Sequence, residues 1–210
     1  IDGLERSSRG LLTGRIVRRD RLLAERLKHA KANRRPNIAA YSRQLARYGI
    51  VGITDTSASN TTDTLADFQR LSDGGELLQH FLLMGSDELD RGYLKILLDE
   101  DRLPDLANLV GRINRARRKG RNLAFHCVTH LELVFALAAL AEAAPCEAGF
   151  DRIEHGAVVN DEMAHRLSDL GLPVITQPGF LFSKGDQYLA DLTRTELGSL
   201  YRFAGLQRLG

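Results

Sequence analysis

"NLAFHCVTHLELVFALAALAEAA" (122–144) and "FDRIEHGAVVNDEMAHRLSDLG" (150–171) decide how this chain is read. Each opens with a short run rich in apolar, aromatic or β-branched residues, then passes into a longer stretch of helical pattern. Each short run carries a histidine toward its end, His126 in the first and His155 in the second, and Gly156 follows the second at once. A strand followed by a helix, twice in succession, is the mark of a parallel sheet with crossover helices.

Working outward, the same alternation extends in both directions. Strand-like runs occur at "GIVGITDTS" (49–57), "QHFLLMGS" (79–86), "GYLKILLDE" (92–100), "NLAFHCVT" (122–129), "DRIEHG" (151–156) and "LPVITQPG" (172–179). Helical patterns lie between several of them, at 63–71, 104–120, 130–144 and 160–171. Pro104 near one start, Gly120 past its end, Asn160 as a cap and Gly171 as a stop give these helices their punctuation. The link "SDELDR" (86–91) is short for a helical crossover, and the pattern offers no account of it. The first 48 residues show helical stretches at about 17–31 and 37–48 and no strand of comparable quality. Residues 1–48 therefore read as a basic helical extension or insertion, and 49–210 as the α/β part.

Composition narrows the function classes. With 43% hydrophobic and 27% charged residues, the 210-residue chain can build a sizeable core and does not read as disordered. The longest apolar run, 133–141, is too short to span a bilayer. No signal-peptide pattern opens the chain. Two cysteines, Cys127 and Cys146, make no disulfide framework, so a reducing, cytoplasmic setting is expected. Residues 1–48 carry 13 Lys and Arg against 4 Asp and Glu, a net +9, whereas the rest carries 16 against 23, a net −7. That basic segment has only Tyr41 and Tyr48 as aromatic residues and no nucleic-acid motif, so it reads as a solvated or partner-facing surface. No phosphate loop or dinucleotide glycine pattern appears.

Three residues carry the chemistry. Lys95, His126 and His155 are spaced by 31 and 29 residues, about one strand–helix unit each. Strand alternation puts Tyr93, Lys95 and Leu97 on one face, Ala124, His126 and Val128 on one face, and Ile153 with His155. If those faces point inward, the three polar groups converge near the C-terminal strand ends, where parallel α/β enzymes build their sites. A lysine inside "YLKILLD" is also expensive to bury without a purpose.

At these residues the chain resembles the amidohydrolase superfamily. "YLKILLD", "RNLAFHCVTHLELVFALAAL" and "FDRIEHGAVVNDEMAHRLSDLGLPVITQPGFLFSKGDQYLAD" are similar to its middle strands, in the branch called amidohydrolase family 3. That branch includes N-substituted formamide deformylases and D-aminoacylase-like enzymes. "GIVGITD" resembles the second strand, and "TGRIVRRD" (13–20) a further segment more loosely. The resemblance implies a (β/α)8 TIM barrel whose C-terminal face holds one or two divalent ions, usually zinc. It implies that Lys95, His126 and His155 are metal ligands, with Lys95 at the position that many members carbamylate. It further implies a non-peptide amide substrate, a small molecule hydrolysed at its C–N bond by a metal-activated water. Two family features have no counterpart: no His-x-His occurs, and no Ser-Asp follows the seventh strand. The chain is thus expected to cover strands two to seven of eight, with Ile1 and the C-terminus read as cuts in a longer enzyme or the chain as a remnant that no longer catalyses, and the isolated piece is expected to be unstable or inactive. The general acid or base is accordingly unassigned.

Other readings are weaker. His126 and His130 are four apart, like a helical zinc pair, but the run into them is strand-like. Cys127 next to a histidine has the makings of a nucleophile, yet alternation points it toward the helices. Gln177 reads equally as a substrate contact or a strand-ending hydrogen bond, and Asp55 as a helix cap. From a different class, a catalytically inactive barrel fragment serving as an interaction or structural module remains the alternative. No membrane partner is expected, and self-association is left open.

Overall fold

The computed structural model describes residues 4–16, 36–145 and 150–209. The chain divides into two compact units, Ile1–Tyr41 and Ser42–Gly210. The helix expected over 17–31 lies outside the described residues. In the first unit, β1 (Leu4–Arg6) and β2 (Leu12–Ile16) form an antiparallel pair, with Leu4 opposite Ile16 and Arg6 opposite Leu12. This hairpin stands where the sequence showed no strand. Its strands are short and β2 is exposed along its whole length, so no alternation of buried and exposed residues announces them.

The helix α1 (Ile38–Arg47) leads into the second unit. There, six parallel strands form one curled, open sheet in chain order: β3 (Gly52–Asp55), β4 (His80–Gly85), β5 (Tyr93–Leu97), β6 (Leu123–Cys127), β7 (Arg152–His155) and β8 (Val174–Ile175). This is the parallel α/β arrangement expected from the sequence, in the form of a half-barrel. The connecting helices are α2 (Thr62–Asp73), α3 (Leu106–Arg118), α4 (His130–Glu142) and α5 (Asp161–Asp169). After β8 come α6 (Phe180–Asp191), α7 (Arg194–Gly198) and α8 (Phe203–Arg208).

Local chemistry sets the helix starts. The Asp105 carboxylate accepts from Asn108 N–H at 3.0 Å, and Asn160 Oδ1 accepts from Met163 N–H at 2.9 Å. Asp55 does not cap α2. Thr61 does, and Asp55 instead accepts from Ser57 N–H (2.9 Å) and from the Asn60 amide (3.0 Å), shaping the loop after β3. Burial alone would raise the Asp55 pKa, but these hydrogen bonds outweigh it and hold the carboxyl low.

The core lies on the helix-covered face of the sheet. Leu94 and Ile96 of β5, Leu123, Phe125 and Cys127 of β6, and Ile153 of β7 pack against Ile113 of α3, Leu133 and Leu137 of α4, and Met163 and Leu167 of α5. The opposite, concave face is more open: Leu97 is 59% exposed and Ile175 is 41% exposed. Burying a leucine-sized side chain is worth about 1.5–3 kcal/mol, so the fully buried leucines and isoleucines between helices and sheet dominate the hold.

The short link after β4 now has a physical account. Only Met84 and Gly85, at the end of β4, pair with Tyr93 and Leu94, at the start of β5. Because β5 begins level with the end of β4, the chain need not travel back down the sheet, and no helix is required. The link is fixed by Leu89, fully buried, and by Arg121, which donates to Ser86 O at 2.8 Å and to Tyr93 O at 2.8 Å.

Candidate active site at the strand ends

Register across β5, β6 and β7 fixes which side chains share the concave face. Lys95 lies beside Ala124, and Ala124 beside Arg152; one level higher, Leu97 lies beside His126 and His126 beside Glu154. Paired residues on parallel strands point the same way, so Lys95, His126, Arg152 and Glu154 line one surface. Ile153 belongs to the opposite, helix-covered core, where it is fully buried. The expectation that Ile153 and His155 share a face is therefore corrected.

His155 nevertheless reaches His126. Its register partner is Cys127, whose side chain is buried among the helices. Simple alternation would send His155 the same way. Instead His155 has φ = 71°, in the left-handed region, and the ring swings over the end of the sheet. The two imidazoles stand edge to face with centroids 4.5 Å apart. Gly156 continues the turn at φ = 49°, its N–H donating to Cys127 O at 2.9 Å. A Cβ at Gly156 would sit 2.5 Å from Val174 Cγ1, so the glycine is required both by backbone and by space.

Among described residues only His155 and Tyr201 (φ = 45°) are non-glycine residues at positive φ. Tyr201 N–H donates to Ala157 O at 2.7 Å and Val159 N–H to Ser199 O at 3.1 Å, so the turn after α7 braces the loop after β7. Phe180 lies between the two, 6.5 Å from the His155 ring and 6.3 Å from Tyr201. Strain of about 1–3 kcal/mol at such a residue persists only where the surroundings over-determine it, and it clusters at functional sites.

The electrostatics favour neutral nitrogen donors. Burial, then the neighbouring His155 and Lys95, pulls the His126 pKa down to about 4, leaving the ring neutral at pH 7. Lys95, only 4% exposed, is pulled down by burial, pushed back up by the Glu154 carboxylate and pulled down again by Arg152. Glu154 is itself held by Arg152 at 2.6 Å, both largely buried, and the Arg152 guanidinium lies 4.8 Å from the centre of the Tyr93 ring. Sequence reasoning missed this pair. Its signal was present: charged Arg152 and Glu154 flank Ile153 at a spacing of two within a strand.

A second buried acid organises the rim. Glu132, at the third position of α4, accepts from Val128 N–H (2.6 Å), Thr129 N–H (3.1 Å) and Glu100 N–H (3.3 Å). It ties the end of β6 to the short 3-10 turn Glu100–Arg102 that follows β5. His130 begins α4 and is not grouped with His126 as a helical pair. Cys127 stays in the core, with its thiol pKa pushed up by burial.

Among the described residues, no group of three or more His, Cys, Asp or Glu side chains is arranged to hold a metal ion. His126 and His155, with Lys95 below them on the same face, are the nitrogen groups that fit one: two are imidazoles and the third is a buried amine whose charged form is disfavoured. The donor set is compatible with a divalent ion, and any further ligand must come from outside these three.

The amidohydrolase family model matches residues 2–206. The chain belongs to the amidohydrolase family. No curated protein matches it. Among solved structures, an uncharacterized metal-dependent hydrolase from Pyrococcus furiosus is similar over 98% of this chain and 52% of its own, at 18% identity and TM-score 0.70. A second, from Pyrococcus horikoshii OT3, gives 17% identity and TM-score 0.69 over 98% and 50%. The ochratoxinase of A. niger is more distant, at 11% identity and TM-score 0.52 over 82% of this chain and 49% of its own. At these identities the likeness is one of fold, and the chain spans about half the length of each of these structures. Among the described residues, no helix is long and apolar enough to cross a membrane.

Proposed function

We propose that this chain carries the metal-binding half of a hydrolase that cleaves a non-peptide amide at its C–N bond. The observation that carries the reading is the pair of imidazoles at adjacent strand ends, 4.5 Å apart, one held in a left-handed conformation that alternation does not give. Membership of the amidohydrolase family agrees with it. In this reading residues 49–210 supply six consecutive strands of a (β/α)8 barrel, residues 1–48 an extension, and Lys95, His126 and His155 the ligands. The metal, taken to be zinc in one or two copies, would polarise the scissile carbonyl and lower the pKa of an attacking water toward about 7.

The chain's own groups have defined parts. His126 offers an unprotonated nitrogen because burial keeps its pKa far below neutral pH. Lys95 is displaced toward its neutral amine, the form able to add carbon dioxide with loss of a proton and so become an anionic ligand. Arg152 compensates the Glu154 carboxylate beside His126, so Lys95 is not held as an ammonium by a bare charge. An interaction module has no use for such a constellation, which weighs against the alternative reading.

Elemental analysis of the purified chain tests the proposal. Near-stoichiometric metal, lost in both His126→Ala and His155→Ala, is expected. Metal content indifferent to both substitutions would refute the site.

A further inference from the structure

We propose that Gln177 is the positioning residue for His155, fixing from the neighbouring strand end both the direction of its ring and which ring nitrogen is free. The inference rests on the reading of His155 as a metal ligand. It concerns how the chain prepares that ligand before any metal arrives.

His155 Nδ1 lies 2.6 Å from Gln177 Oε1, and Gln177 Nε2 donates to Ile175 O at 3.1 Å. The second bond decides the first. Turning the amide over would set its oxygen against the Ile175 carbonyl oxygen, two acceptors with no proton between them, so the amide oxygen must face the histidine. An amide oxygen only accepts. His155 Nδ1 therefore carries a proton, and in the neutral ring Nε2 is the nitrogen left with the lone pair. Both ends of the Gln177 amide are thus engaged within the protein. The short contact matters because His155 sits at φ = 71°, a conformation that persists only where surrounding contacts hold it. Metal-binding histidines generally donate their second nitrogen to such a partner, and losing the partner typically costs 10–100-fold in metal affinity.

The test uses the full chain labelled with nitrogen-15, stripped of metal, in three forms: unsubstituted, Gln177→Leu and Gln177→Glu. Long-range proton–nitrogen correlation spectra report the His155 tautomer, and competition with a chromophoric chelator reports Zn2+ affinity. The unsubstituted chain should show Nδ1 protonated, Gln177→Leu should lose that preference and bind Zn2+ about 10–100-fold more weakly, and Gln177→Glu, which keeps an acceptor for Nδ1 but sets its other oxygen against Ile175 O, should restore the tautomer and only part of the affinity. A tautomer unchanged in Gln177→Leu overturns the proposal. A tautomer that shifts while none of the three forms binds Zn2+ upholds the positioning role and refutes the metal reading instead.

Discussion

Replacing Gly156 by alanine should unfold this site from within. The residue follows His155 at φ = 49°, where an alanine costs about 1–2 kcal/mol relative to its preferred backbone. Its Cβ would also stand 2.5 Å from Val174 Cγ1, far inside contact distance, and relieving such an overlap in packed surroundings costs about 1–3 kcal/mol more. The sum is roughly 2–5 kcal/mol. With a urea m-value of about 2–3 kcal/mol per molar, the midpoint should fall by roughly 1–2 M. Gly171→Ala supplies the control, because Gly171 has φ = 61° but no atom within 4 Å of the new Cβ, so only the backbone cost applies. Urea unfolding followed by circular dichroism measures both. Val174→Ala, by removing the opposing methyl, should recover part of the loss when combined with Gly156→Ala. A Gly156→Ala chain no less stable than Gly171→Ala, with no coupling to Val174, would refute the claim that close packing against β8 holds the His155 turn.

Three further outcomes follow from the same geometry. Arg152→Met leaves Glu154 buried without its partner and should cost about 3–5 kcal/mol in urea unfolding, whereas Arg152→Met with Glu154→Leu should recover much of it. Glu132→Ala strips acceptors from three backbone N–H groups and should destabilise by at least about 2 kcal/mol, with the fastest hydrogen exchange appearing at Val128, Thr129 and Glu100. For metal-free protein, His126 has a folded pKa of about 4 against about 6.5 unfolded, so the unfolded chain binds the extra proton between those values. The stability it contributes is present above pH 6.5 and is lost as pH falls toward 4; His126→Gln should flatten that part of a stability–pH profile by up to one proton's slope.

How much of this was legible in the residues depends on which forces leave a pattern. Burial does. The six strands and the helices between them follow apolar runs, and Asn160 caps where a short polar side chain meets a helical pattern. The hairpin Leu4–Arg6 with Leu12–Ile16 was invisible because β2 buries nothing and rests on backbone pairing. The staggered start of β5 was equally hidden, since register between strands is a relation that no single segment carries.

The site shows the sharper limit. Alternation assigns His126 correctly because β6 is regular through Cys127, with Leu123, Phe125 and Cys127 in the core and His126 opposite. Applied to β7, the same rule reads back from His155 and puts Ile153 on the wrong face. The error lies in the last residue alone: Arg152, Ile153 and Glu154 alternate as the register demands, and the left-handed step at His155 breaks the count. The clue was Gly156, since a glycine directly after a functional residue at a strand end marks a backbone turn that a Cβ would block. The two histidines meet because the last residue of β7 leaves the extended backbone, and the left-handed step at His155 brings its ring to His126.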